Sequence, residues 1–225
     1  MTMSSTSGPE VVWEIHHRLC EIYGDQPQHP DGDPLAALVN TILSQNTNDR
    51  NRDIAFTRLR AQFPTWEAVR DAPPEMIIAA IRPAGLAPSK GPHIQAALRQ
   101  ITEERGELSL AFLGTLPLEE ARQWLLSLDG VGPKTAAIVL QFSLGMAAFP
   151  VDTHVQRVSG RLGLRPQKMS AEQSHRFLAA LFPAEADGPA HLNLIRLGRE
   201  ICRARKPDCA SCPLFEICPG AVRDG

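Results

Sequence analysis

The chain has 225 residues, 43% hydrophobic and 21% charged, which is ordinary for a globular protein and enough for one large domain or two small ones. No run approaches the about 18 apolar residues of a membrane span. The opening MTMSSTSGPE also lacks the basic start and apolar stretch of a secretory signal, so the expected setting is the cytoplasm, without a membrane. The net charge of −2 argues against a uniformly basic nucleic-acid binder, but distribution matters more than sum.

Residues 1–8 read as a tail, and EVVWEIHHRLCEIY (10–23) as a helix closed by Gly24. GDQPQHPDGD (24–33) is a turn-rich linker. Asp33-Pro34 then has the form of an N-cap followed by proline at the first helical position, opening PLAALVNTILSQ. NDRNRDIAFTRLRAQF follows, then WEAVRDA capped by Thr65, PPEMIIAAI, and KGPHIQAALRQITEER with Ser89 as its cap. Pro117 begins PLEEARQWLLSL, and PKTAAIVLQFSLG follows Gly132. Asp152 caps THVQRVSGRLG, Ser170 precedes AEQSHRFLAALF, and a last helix covers about 187–202. Strand-like alternation is nearly absent, so the pattern predicts an all-α protein of about ten to twelve short helices.

Charge is unevenly spread along this scaffold. Acidic residues dominate 103–120, while Arg157, Arg161, Arg165 and Lys168, and then Arg196, Arg199, Arg203, Arg205 and Lys206, make the C-terminal third basic enough to present a positive face.

Cys202, Cys209, Cys212 and Cys218 are separated by six, two and five residues, with prolines at 207, 213 and 219 that favour a turning loop over a helix. In a cytosolic chain such a cluster points to metal rather than disulfides. Four thiolates suit an iron–sulfur cluster. Zinc stays open on spacing alone, although its sites usually pair two short C-x2–4-C units and only Cys209 and Cys212 form one here. Cys20 stands apart on an apolar helix face and reads as a small buried hydrophobe.

LSLDGVGPKTAAIVL (126–140) is helix, glycine turn, helix. Gly130 and Gly132 permit a tight turn and close approach, and the following helix N-terminus offers free N–H groups to an anion. Lys134 lies in the first turn of that helix. It suits either a charged contact to phosphate or solvent, or a neutral amine that forms a Schiff base. Asp152, eighteen residues on, suits both an N-cap and a carboxylate that stabilises developing positive charge.

Taken together, LDGVGPKTA, VDTH and the cysteine spacing resemble the endonuclease III family of helix-hairpin-helix DNA glycosylases, as do ILSQNTND (42–49) and AGLAPSK (84–90). The resemblance runs over about residues 10–220. It implies two all-α domains with a DNA-binding cleft between them. One is a six-helix barrel carrying the hairpin (35–147); the other is a discontinuous iron–sulfur domain (1–34 and 148–225). It further implies Lys134 and Asp152 as catalytic residues and a 4Fe-4S cluster on Cys202, Cys209, Cys212 and Cys218. DNA contacts are implied at Gln45, Asn46, Leu86, Gly130, Gly132, Lys134, Thr135, His154, Arg203, Arg205 and Lys206, with Leu86 and Asn46 inserted into the duplex and Gln45 the neighbouring candidate for the place of Asn46. The implied partner is double-stranded DNA with a damaged base or abasic site, met by a monomer at the nucleoid. The implied activity is removal of oxidised pyrimidines with strand cleavage by β-elimination. SQNTND also resembles the segment of a methylpurine-removing branch, so alkylated purines are the alternative substrate, and a weakly active lesion-binding paralogue the alternative role.

Overall fold

The computed structural model describes residues 8–25 and 32–223. The tail reading for 1–7 and the middle of the expected linker, 26–31, lie outside these residues. Among those described, every regular element is helical: α1 (Pro9–Tyr23), α2 (Pro34–Ser44), α3 (Asp49–Gln62), α4 (Trp66–Asp71), α5 (Pro74–Ile81), α6 (Ala87–Arg105), α7 (Leu118–Leu126), α8 (Pro133–Leu144), α9 (Thr153–Arg161), α10 (Ala171–Leu181) and α11 (Ala184–Glu200). Short 3-10 turns occupy Arg82–Ala84 and Ala111–Thr115.

The chain divides into two compact units, residues 29–146 and residues 1–28 with 147–225. The first break therefore falls ahead of 34/35, and there is a local reason. One Asp33 carboxylate oxygen accepts the Leu35 N–H at 2.9 Å and caps α2, while the other accepts the Trp66 indole N–H at 2.7 Å. Asp33 thus ties α2 to α4 and belongs with residues 29–146.

That unit is built around α2, whose Leu38, Ile42 and Leu43 have no exposed surface. Each such side chain contributes roughly 1.5–3 kcal/mol of burial. α2 packs on α8, α3 and α6, and α6 packs on α4 and α5. Seven α-helices stand here where six are expected, the shortest being the six-residue α4.

The other unit gathers α1, α9, α10 and α11 around Val12, Ile15, Leu19, Phe149, Val158, Leu178, Leu194 and Leu197. Leu214, from the cysteine loop, is buried in the same core, and Cys202, Cys212 and Cys218 pack against it.

One boundary differs from the reading of the sequence. Ser89 does not cap α6; the helix starts at Ala87 behind Leu86, which takes a left-handed backbone with φ 50° and ψ 29°. The Leu86 carbonyl accepts from the N–H groups of Ser89 and Lys90, both at 3.0 Å.

Candidate nucleic-acid interface and cysteine centre

α7 and α8 meet at the Gly130–Gly132 turn. Gly130 has φ 75°, and a Cβ there would stand 2.7 Å from the His93 Cβ, so glycine is required twice over. Gly132 differs: its φ is −100°, and a Cβ there would meet nothing within 4 Å. The protein's own packing does not demand glycine at 132. The bare backbone leaves the N-terminus of α8 open to close approach from outside, as an anion-binding helix end requires. Lys134 is exposed in the first turn of α8. Thr135 corrects the expectation: its side chain is 3% exposed, turned into the core, and leaves only its backbone to meet a ligand.

Two further turns belong to this unit. Asn46 is exposed with φ 53°, and Leu86 is 58% exposed with φ 50°. Left-handed backbone costs a branched, apolar residue about 1–2 kcal/mol, and exposing a leucine forgoes burial energy as well. Leu86 bears both costs, which marks strain held for a purpose beyond folding, whereas asparagine adopts this backbone readily. Gln45 behaves differently from Asn46. Its side-chain amide donates to the Gly130 carbonyl at 3.1 Å, tying the α2–α3 turn to the hairpin.

The reading of the sequence missed Lys90. It is 2% exposed, and its ammonium donates to the carbonyls of Leu43 (2.8 Å) and Ala84 (2.9 Å). Burial pushes its pKa down. No local pattern reveals this, because one acceptor lies 47 residues away.

In the other unit, Asp152 Oδ1 accepts the Val155 N–H at 2.8 Å and caps α9. The segment before it is held by two buried histidines. Val151 N–H donates to His175 Nδ1 at 3.2 Å, and His191 Nδ1 donates to the Pro150 carbonyl at 2.8 Å. Asp152 therefore sits between a braced strand of backbone and a capped helix, half-buried.

The far end of α9 holds the cysteine loop. Arg157 donates to the carbonyls of Cys202 (3.0 Å) and Gly198 (2.8 Å). Arg161 reaches the carbonyl of Arg203 (2.7 Å) and the Cys202 sulfur (3.4 Å), while its own carbonyl accepts from Gly220 N–H (3.0 Å). Arg165 is 6% exposed and turned onto Ser159 and the 166–169 backbone. The expected positive face loses these three guanidinium groups to structural work. His154 is likewise half-buried, its ring 3.2 Å from Arg157. Arg203, Arg205 and Lys206 remain exposed on the loop.

All five cysteines are free. Cys202, Cys209, Cys212 and Cys218 line one cavity with Val158, Leu197 and Phe215. No group of three or more His, Cys, Asp or Glu side chains among the described residues gathers as ligands of a single ion. The sulfurs instead stand around a shared space. Burial pushes the Cys212 and Cys218 thiols up, and the neighbouring cysteines add to the rise. Cys20 is half-buried rather than enclosed, and its sulfur accepts from the Asn193 amide at 3.6 Å.

Residues 39–184 match the model of the HhH-GPD superfamily of base excision DNA repair proteins. Endonuclease III of Thermotoga maritima is 34% identical over 88% of this chain and 88% of its own length. A putative DNA glycosylase of Arabidopsis thaliana is 41% identical over 67% of this chain, which spans about half (52%) of that relative. A solved structure of a trapped endonuclease III–DNA covalent intermediate superposes with a TM-score of 0.81 at 28% identity, covering 96% of this chain and 98% of that one. The chain belongs to the endonuclease III family within the HhH-GPD superfamily of base excision DNA repair proteins.

Proposed function

We propose that this enzyme of base excision repair removes a damaged base, an oxidised pyrimidine by family, from double-stranded DNA and then cleaves the strand through a Schiff base on Lys134. The observation that carries the reading is Lys134 itself, exposed in the first turn of α8 directly behind the open Gly132 turn. The trapped covalent complex of the related endonuclease III supports a covalent route.

The hairpin N–H groups and Gly132 hold a phosphate, which positions the strand. The damaged nucleotide leaves the stack. Asn46 and Leu86 fill the space it vacates. The Lys134 ammonium gives a proton to solvent and becomes the nucleophilic amine, and Asp152, as a carboxylate, stabilises the positive charge that grows at C1′. The Lys134 nitrogen then bonds to C1′ as the glycosidic bond breaks, and the base departs with that electron pair and takes up a proton. The sugar ring opens to a protonated imine, which acidifies the 2′ hydrogen. Loss of that proton expels the 3′ phosphate and cuts the strand.

Cys202, Cys209, Cys212 and Cys218 fit a 4Fe-4S cluster: four sulfurs surround one cavity, and their loop is anchored by Leu214 in the core. Bound there, the cluster supplies a cross-link that holds the loop in shape. Arg203, Arg205 and Lys206 then face phosphate from a fixed surface, each contact steepening the salt dependence of binding.

Borohydride reduction on abasic-site duplex tests the central assignment. A covalent protein–DNA adduct is expected, absent in Lys134→Ala. An undiminished adduct in that variant removes Lys134 from the role.

A further inference from the structure

Lys90 is the one lysine shut away from solvent among the described residues, and its placement is unusual. An ammonium carries three donors and is strongly hydrated, so burying it costs energy unless acceptors replace the water. Here two do, and both are carbonyls at the ends of helical segments. Leu43 lies one residue from the end of α2, and Ala84 ends the 3-10 turn 82–84. Such terminal carbonyls lack intrahelical donors and carry the negative end of the helix dipole. A cation satisfies both needs at once.

What those carbonyls precede gives the arrangement its meaning. Leu43 stands three residues before Asn46, and Ala84 two residues before Leu86. The two exposed left-handed residues of residues 29–146 other than glycine therefore follow directly on the two points gripped by one ammonium. The grip on Leu86 is double. The backbone N–H of Lys90 donates to the Leu86 carbonyl at 3.0 Å while its side chain holds Ala84 on the other flank.

We propose that Lys90 is a positioning residue for base flipping: its ammonium joins the turns that carry Asn46 and Leu86, so that both enter the duplex as one pre-set pair. The proposal rests on the reading of Asn46 and Leu86 as the inserted residues. Without the bridge, the Leu86 turn relaxes from its strained backbone and the Asn46 turn moves independently of it. The cost of ordering them then falls on the DNA-bound state, where preorganisation is worth most. Lys90 touches neither DNA nor the reacting atoms.

The test uses the full-length protein and a duplex carrying an abasic site with 2-aminopurine opposite, so that base preference does not enter. Lys90→Met keeps the length and volume of the stem and removes the donors. Relative to the unsubstituted protein, it is expected to lose at least half of the 2-aminopurine fluorescence change and about 10-fold in single-turnover strand cleavage. Cleavage of an abasic site in single-stranded DNA, where no partner base must be replaced, is expected to change less than about 2-fold. In a Leu86→Ala background the further effect of Lys90→Met is expected to be small, because the two act through one event. Should Lys90→Met fail to fold, Lys90→Gln carries the same comparison, because its shorter, uncharged side chain removes the two-ended ammonium bridge while keeping a polar group near the buried carbonyls. A folded variant with unchanged fluorescence and cleavage overturns the role of Lys90, as does an effect fully multiplicative with Leu86→Ala. Failure of the unsubstituted protein to cleave either substrate counts against the proposed function instead.

Discussion

The side-chain amide of Gln45 donates to the carbonyl oxygen of Gly130 at 3.1 Å, bridging 85 residues of sequence. This contact joins the turn that exposes Asn46 to the hairpin that precedes Lys134. It assigns the neighbouring polar residues different work: Gln45 is occupied within the protein, and Asn46 is free to face outward. Gln45→Ala is expected to cost about 1 kcal/mol, lowering the melting temperature by about 2–4 °C. It is also expected to weaken binding to abasic-site duplex. Unchanged melting and unchanged binding together would show the contact to be idle.

The two hairpin glycines make a matched pair. Gly130→Ala places a methyl group against His93 on a left-handed backbone and is expected to destabilise by about 1–3 kcal/mol. Gly132→Ala meets open space and an ordinary φ, so its stability is expected to stay within about 0.5 kcal/mol of the parent. Its binding to duplex is nevertheless expected to fall, because the methyl sits where a phosphate approaches. Denaturant unfolding and a binding titration separate the two outcomes; a Gly132→Ala protein that binds normally would show that nothing comes close there.

Asp187 supplies a pH signature. It is fully buried on α11, neither carboxylate oxygen has a hydrogen-bond partner, and burial together with Glu185 pushes its pKa up to about 8. A raised carboxyl pKa means that the folded protein holds a proton which the unfolded chain releases above its ordinary value of 3.8. The associated stability is complete below that value and is lost as pH rises towards 8. Asp187→Asn removes the titration. It is expected to be more stable than the parent by a few kcal/mol at pH 8, and by much less at pH 5. Thermal melts at the two pH values decide it; an equal difference at both rules out this titration.

Cys209→Ser tests the metal centre. It is expected to abolish the brown colour and the bound iron, and to leave a protein that folds poorly because the loop anchored by Leu214 loses its cross-link. A colourless parent containing zinc, or a stable and active Cys209→Ser protein without iron, would defeat the assignment.

Helices with local chemical signatures were legible along the chain. Asp33, Thr65, Asp152 and Ser170 each cap the helix they precede through a side-chain oxygen, as their residue types suggest. The start of α6 was not legible. Its cap is the backbone of a leucine in a conformation that leucine rarely adopts, and Ser89 three residues on imitates a conventional start. Lys134, Asp152 and the cysteines stood out because their spacing is contained within short motifs. Lys90 and Arg165 did not, because their partners are backbone carbonyls whose positions only the folded chain sets. A basic residue in a sequence looks alike whether it meets water, phosphate or a helix end.

α9 begins at Asp152 and ends among the bonds that Arg157 and Arg161 make to the cysteine loop. Its nine residues span about 14 Å, too far for the loop to share in chemistry at the aspartate but within one rigid rod. A loop that comes apart therefore frees the last turn of the rod whose first turn orients the carboxylate. If the four cysteines hold the proposed cluster, a cell short of iron would make the chain yet assemble fewer competent copies of it.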